Sequence, residues 1–358
     1  MTSTSDFIRL TSGNILLNGL WIIPLTILWV ISLCAAHQKR DAARAGIAWL
    51  KAAYPFFILS LLLWTICSGL NLWSWIDHSV FSTGAGERLY RAINHMNGVG
   101  ELLNNVGDIL LFVALYEFTR GLMIGFTGNA QQNYAWKAGR MAILAWGFTL
   151  LAISVACFGV AQNFSSTSQL WYTSDDPDFA RARDQRLLIT RLYISLEILL
   201  WLTATPITIL VSVVYYRRIK GNLALKKLGS LLLDAAILNA IRHGVCTSID
   251  IRYHLSDSST TTNTNTDVPL IVTLIVKPLF DNLFIFIVLV LLFALVMRKP
   301  YGLSSSQAQP EWDQPSVAYA PLHPPQQPAY AAPPAYLEHA PPSPPPPQQH
   351  LLQHQEQK

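Results

Sequence analysis

Apolar residues in this chain come in long, nearly unbroken runs, not in the stripes of a soluble helix or the alternation of a half-buried strand. A helix needs roughly 20 residues to cross about 30 Å of hydrocarbon. Seven segments reach or approach that length, at about 15–36, 52–76, 100–126, 141–160, 187–216, 223–247 and 268–297. Helices suit such runs because their backbone satisfies its own hydrogen bonds in lipid. The fifth and seventh are longer than an upright crossing requires, which predicts tilt. The sixth is the least apolar, because it carries Asp234, Asn239, Arg242 and His243. The predicted fold class is all-α: a polytopic membrane protein whose domain, 15–299, holds seven transmembrane helices.

The two ends break the pattern differently. Residues 1–14 lack the basic stretch and small-residue cleavage site of a secretory signal, so the first helix is expected to act as an uncleaved signal behind a short extracellular N-terminus. Residues 300–358 contain 15 of the 21 prolines and ten glutamines, with few large aliphatic side chains. That composition cannot bury enough surface to fold, and it predicts a disordered Pro/Gln-rich cytoplasmic tail, partly in polyproline II.

Composition narrows the class and charge placement sets the topology. Charged residues make up 13% of the chain and hydrophobic ones 51%, whereas a soluble domain carries about 25% charged residues. This excludes a soluble enzyme and a disulfide-stapled secreted domain. The net charge of +4 is too small to argue for nucleic acid. With the N-terminus outside, the cytoplasmic loops 37–51, 127–140 and 216–227 and the start of the tail hold 13 Lys and Arg against one acid, Asp41, in accord with the positive-inside rule. Removing the sixth helix would put the basic 216–227 stretch on the same side as the acidic, Ser/Thr-rich 249–267 loop. Seven spans, N-terminus out and C-terminus in, is the reading that follows.

Ionisable side chains within lipid-spanning segments are costly and mark function by default. Asp108, Glu197, Arg242, His243, Lys277 and Asp281, with Asn239 beside them, fall at a common depth in the outer half at about 1.5 Å per residue. They are the candidate ligand or ion pocket. Glu117 and Asp234 lie nearer mid-membrane. Lys277 and Asp281 are four residues apart and can pair along one face, and Pro278 predicts a kink between them. Asn239, Arg242, His243 and Cys246 share a face, as do Glu101, Asn104, Asn105 and Asp108. The other reading of these charges is that they pair with one another and hold the bundle together.

No catalytic motif accompanies them. No two histidines stand four apart in a predicted membrane helix, and Cys34, Cys67, Cys157 and Cys246 show no metal-ligand spacing. Neither a metal nor a cofactor is expected, and an enzyme is not. Asn163-Phe164-Ser165 is a glycosylation sequon on the outer side. In the tail, Pro333-Pro334-Ala335-Tyr336 matches PPxY, whose preformed polyproline II conformation suits the aromatic groove of a WW domain. The partner it implies is a WW-domain ubiquitin ligase, which favours the plasma membrane as residence.

In helix count and tail composition the chain resembles fungal seven-helix integral membrane proteins, many of them receptor-like. The resemblance lies in topology and carries no residue assignment. The functional expectation is a receptor-like protein binding a small polar ligand in its outer half. A secondary transporter or lipid translocase using Glu117, Asp234 and the Lys277–Asp281 pair is the alternative. A membrane scaffold is the third reading.

Overall fold

The computed structural model of the chain describes residues 4–35, 45–76, 84–127, 134–167, 177–255 and 271–297. These residues form seven helices and, among the described residues, no strand. They are α1 (Thr4–Ala35), α2 (Ala45–Ile76), α3 (Gly84–Thr127), α4 (Tyr134–Thr167), α5 (Pro177–Val214), α6 (Leu223–Asp250) and α7 (Lys277–Met297). Single π-helical turns extend α5 (Tyr215–Ile219) and α6 (Ile251–Leu255), and another (Val272–Val276) leads into α7. Most helices overrun the apolar segments that announce them. Helix α3 begins at Gly84, well before residue 100, because its polar first turns still satisfy their backbone hydrogen bonds helically. The tail at 300–358, with Pro333, Pro334 and Tyr336, lies outside the described residues.

Six helices are long and apolar enough to cross a membrane, and α6 is not among them. The surface of the bundle fits such a setting. Leu16, Leu20, Ile23 and Ile27 expose between 53% and 72% of their area along one face of α1, and lipid is the solvent that suits such a stripe. Cys67, Cys157 and Cys246 are buried as free thiols, whereas Cys34 is exposed near the end of α1.

Consecutive helices pack against one another, and α7 returns to α1 to close the ring. Helix α3 also touches α5 and α6. Its most apolar stretch is 72% buried, against 17–39% for the other five spanning candidates, so α3 runs through the middle. Close approach of α2 to α3 depends on glycine. A Cβ at Gly46 would lie 2.9 Å from the Phe118 ring, and one at Gly107 would lie 2.8 Å from Phe57. Helix pairs in lipid gain their stability from such small-residue packing and from hydrogen bonds between helices. Trp146 Nε1 donates to Thr203 Oγ1 at 2.9 Å, Thr208 Oγ1 to the Ala236 carbonyl at 3.0 Å and Tyr54 Oη to the Leu289 carbonyl at 3.1 Å.

One backbone irregularity positions α7. Pro278 has no N–H, so the carbonyl four residues back, that of Leu274, loses its helical donor. The chain answers locally with the π turn Val272–Val276, closed by the Lys277 N–H on the Val272 carbonyl. Asn14 Nδ2 of α1 then donates to the Leu274 carbonyl at 2.8 Å. Asn14 belongs to a ladder. Asn18 Nδ2 donates to Asn14 Oδ1 at 2.6 Å, and Asn282 Nδ2 donates to Asn18 Oδ1 at 2.8 Å. Ser68 of α2 adds a contact to Asn14 Oδ1 at 3.3 Å. Helices α1 and α2 are thus tied to the segment that presents Lys277 and Asp281. Asn14→Leu should destabilise the bundle by about 1–3 kcal/mol, the cost of an unsatisfied buried group. The loss should shrink in a Pro278→Ala background, where residue 278 regains an N–H for Leu274. Equilibrium unfolding of the four proteins in detergent checks this, and equal losses in both backgrounds would contradict it.

Candidate functional site

The site is built on one face of α6. Asn239, Arg242, His243, Cys246, Thr247 and Asp250 follow one another at helical spacing, and each is no more than 5% exposed. The opposite face carries the exposed Ile237 and Ile241, with Asp234 exposed alongside them. The polar residues that lower the hydropathy of α6 are therefore largely those turned towards α3, α5 and α7.

Arg242 is the hub. Its Nη1 and Nη2 both donate to the Asp108 carboxylate of α3, the second at 3.3 Å, and its Nε donates to Asp281 Oδ1 of α7 at 2.5 Å. Asn104 Nδ2, one turn from Asp108, reaches Asp108 Oδ2 at 3.5 Å, and Cys246 Sγ lies 3.7 Å from Asp281 Oδ1. A guanidinium presents its donors in a planar fork, which lets one side chain serve two carboxylates on different helices. His243 stands between two acids, with Nε2 3.8 Å from Asp108 Oδ1 and Nδ1 3.7 Å from Glu197 Oε2 of α5. Its ring packs beside Phe112 at 5.5 Å between centroids. Lys277 Nζ donates to both Asp250 oxygens at 2.8 Å. Asp250 is the last residue before one π turn and Lys277 the first after another, so both partners sit at junctions where helix geometry changes.

All seven residues expected to line the pocket meet in this cluster: Asp108, Glu197, Asn239, Arg242, His243, Lys277 and Asp281. One expectation needs correction, and two residues placed nearer mid-membrane stand apart. Lys277 and Asp281 do not pair with each other, since Lys277 is held by Asp250 and Asp281 by Arg242. A base preceding an acid by four residues is the weaker order for a helical pair, and α6 offers both side chains a closer partner. Glu117 and Asp234 do not join the cluster either. Glu117 is buried at the far end of α3, held by Arg120 Nη2 at 2.6 Å and Arg140 Nε at 2.8 Å, while Asp234 faces outward. Asn163 is exposed and its sequon is helical, within the last turns of α4.

Sequence reasoning missed Asp250, because the sixth segment was ended at 247. Its spacing of four from Cys246 and seven from His243 puts it on the same face. It also missed Asn14, Asn18 and Asn282, whose signal was amides at positions four apart inside an apolar run and directly beside Asp281.

Several atoms in the cluster have no hydrogen-bond partner: Glu197 Oε2, His243 Nε2, Thr247 Oγ1 and both amide atoms of Asn239. Buried polar atoms are nearly always satisfied, so this group is chemically poised to receive hydrogen bonds from something small. Among the described residues, no three His, Cys, Asp or Glu side chains converge as metal ligands would. The side chains of Glu197, Asp281 and Lys277 are 20%, 16% and 30% exposed, against 2% for Arg242 and 1% for Asp108. No protein-family model, curated protein or solved structure matches the chain.

Arg242→Leu leaves Asp108 and Asp281 buried without their cation and should cost about 3–5 kcal/mol of stability. Asp234→Asn, on the exposed face, should stay within about 0.5 kcal/mol of the parent. Thermal or denaturant unfolding in detergent separates the two, and comparable losses would overturn the placement of these charges.

Proposed function

We propose that this chain is a receptor-like integral membrane protein that binds a small polar ligand in the outer half of a seven-span bundle, among α3, α5, α6 and α7. The observation that carries the reading is the buried polar atoms of Asn239 and Thr247, which have no hydrogen-bond partner among the described residues, set beside a firmly paired Arg242. Ion pairs alone would account for Arg242 and Lys277. They leave these atoms without a role.

Seven spans with the N-terminus outside rest on the charge pattern of the loops. They rest also on the orientation of α6, whose low hydropathy comes mainly from side chains turned into the protein. At 1.5 Å per residue, 28 residues extend about 42 Å, ample for a crossing. The resemblance to fungal seven-helix membrane proteins agrees with this arrangement.

A transporter or translocase needs a polar path through the bilayer. The nine residues from Asp108 to Glu117 separate the two charged groups of α3 by about 13 Å, and Leu111, Phe112 and Leu115 between them are buried in the apolar core with Leu200 and Leu289. That layer favours a ligand that binds and stays on the outer side. Reconstituted in liposomes, the protein should show no proton or substrate flux, while small polar ligands raise its melting temperature in nanodiscs. Flux in vesicles, or a melting temperature indifferent to every polar ligand and to Asn239→Leu, would reject the receptor reading.

On the cytoplasmic side, the reading includes a tail that recruits a WW-domain ubiquitin ligase through Pro333, Pro334 and Tyr336, at a plasma-membrane address. Tyr336→Ala should reduce ubiquitination and lengthen surface lifetime. Unchanged ubiquitination and turnover would remove this part of the account.

A further inference from the structure

The charges in the cluster do not balance, and the imbalance specifies a ligand. Arg242 is answered by Asp108 and Asp281, and Lys277 by Asp250. These are three carboxylates against two cations. Beyond them stand Glu101 and Glu197, with His243 set against Glu197 and Lys277, already held by Asp250, near both. Glu101 lies on α3 two turns before Asp108, which puts it on the same face of the helix. The charged groups around it are Lys277, Glu197, Asp281 and Asp250. Among the described residues it makes no hydrogen bond and no ion pair, and it is half-buried. Glu197 Oε2 makes no hydrogen bond and is met by His243 Nδ1 at 3.7 Å. Even with His243 protonated, the cluster carries two negative charges in excess.

A surplus of negative charge at membrane depth is expensive to leave uncompensated. The buried polar atoms of Asn239 and Thr247, residues 1% and 3% exposed, have no hydrogen-bond partner among the described residues and offer polar contacts to an occupant. A metal ion is a poor match, since among the described residues no three acidic, His or Cys side chains converge on one point. The acids are instead spread along the helices, with Glu101 about 10 Å from Asp108 along α3 at helical rise. Tyr193, one turn from Glu197, lies near Glu101 and supplies a ring that a cation can approach.

We propose that the site selects an organic cation, a molecule carrying one or more ammonium groups, with Glu101 and Glu197 as its counter-ions. The inference rests on the ligand-binding reading above and adds its charge class. An ammonium donates charge-assisted hydrogen bonds to both carboxylates and brings the charge that Arg242 and Lys277 do not supply. An anion would meet an excess of carboxylates, and a zwitterion would oppose one of its own ends to them.

Three four-carbon probes separate the charge classes: putrescine, 4-aminobutyrate and butane-1,4-diol, each titrated against the full chain in nanodiscs with melting temperature and calorimetry as readouts. Putrescine should bind and raise the melting temperature, and the other two should bind at least about tenfold more weakly. Glu101→Gln and Glu197→Gln should each weaken putrescine at least about tenfold. Glu101→Lys should abolish its effect while raising the melting temperature of the ligand-free protein, because the lysine itself supplies the missing cation. Glu101 makes no hydrogen bond or ion pair with a described residue, so Glu101→Gln should leave the melting temperature of the ligand-free protein close to that of the parent. If 4-aminobutyrate or the diol stabilises as well as putrescine, or if the Glu101 variants bind putrescine unchanged, the charge class is wrong and the ligand-binding reading stands. If none of the three probes shifts either readout, the cation inference fails, and a panel of uncharged and anionic polar ligands that also fails takes the parent reading with it.

Discussion

Arg242 cannot shed its charge at any accessible pH, and it is 2% exposed inside the bundle. A guanidinium in that position has to be met by carboxylates from neighbouring helices, and the rest of the arrangement follows from meeting it. Asp108 fixes the rotation of α3, because the same helix must also present Gly46- and Gly107-level surfaces to α2. Asp281 fixes α7. The segment before it must pass Pro278, and the Asn14 amide completes the backbone that proline interrupts. The polar face of α6 then needs no lipid exposure, which explains how a helix with several charges sits in an otherwise apolar bundle. Breaking a buried pair of this kind costs more than making it gains, so the bridge is better understood as a registration device than as a source of net stability.

The bundle holds two charged layers with different character. At one end Glu117, Arg120 and Arg140 form an ion-paired group that joins α3 to α4. At the other, Arg242 is saturated while Glu101, Glu197, His243 and Asn239 are not. An apolar layer containing Leu111, Phe112, Leu115, Leu200 and Leu289 lies between. Pairing and the proposed binding are therefore complementary roles within one cluster. The paired members hold helices in register, and the others carry the polar atoms that this register leaves unmatched.

Helices were legible because an apolar run of some 20 residues has few other fates, and the α6 stripe was legible because helical spacing alone puts Arg242, His243 and Cys246 together. Partner choice was not legible. Lys277 and Asp281 look paired along the chain, yet each is claimed across an interface by Asp250 or Arg242, and only tertiary packing decides that. Asp250 lay beyond the apolar limit of its segment, although the helix continues because its backbone bonds do not depend on side-chain hydropathy. The amides of Asn14, Asn18 and Asn282 were lost among leucines and isoleucines, since a neutral polar residue barely lowers the hydropathy of a long run. Asp234 marked the reverse problem: a charge in an apolar segment that faces outward and joins no network.

The central claim is that Asp108 and Arg242 act as one unit that sets helix register, and a double-mutant cycle tests it most directly. Unfolding free energies of the parent, Asp108→Asn, Arg242→Gln and the double variant should give a coupling of about 1–3 kcal/mol, the double variant losing less than the sum of the single ones. Additive losses, within about 0.5 kcal/mol, would mean that the two residues stabilise the bundle independently and would contradict the account.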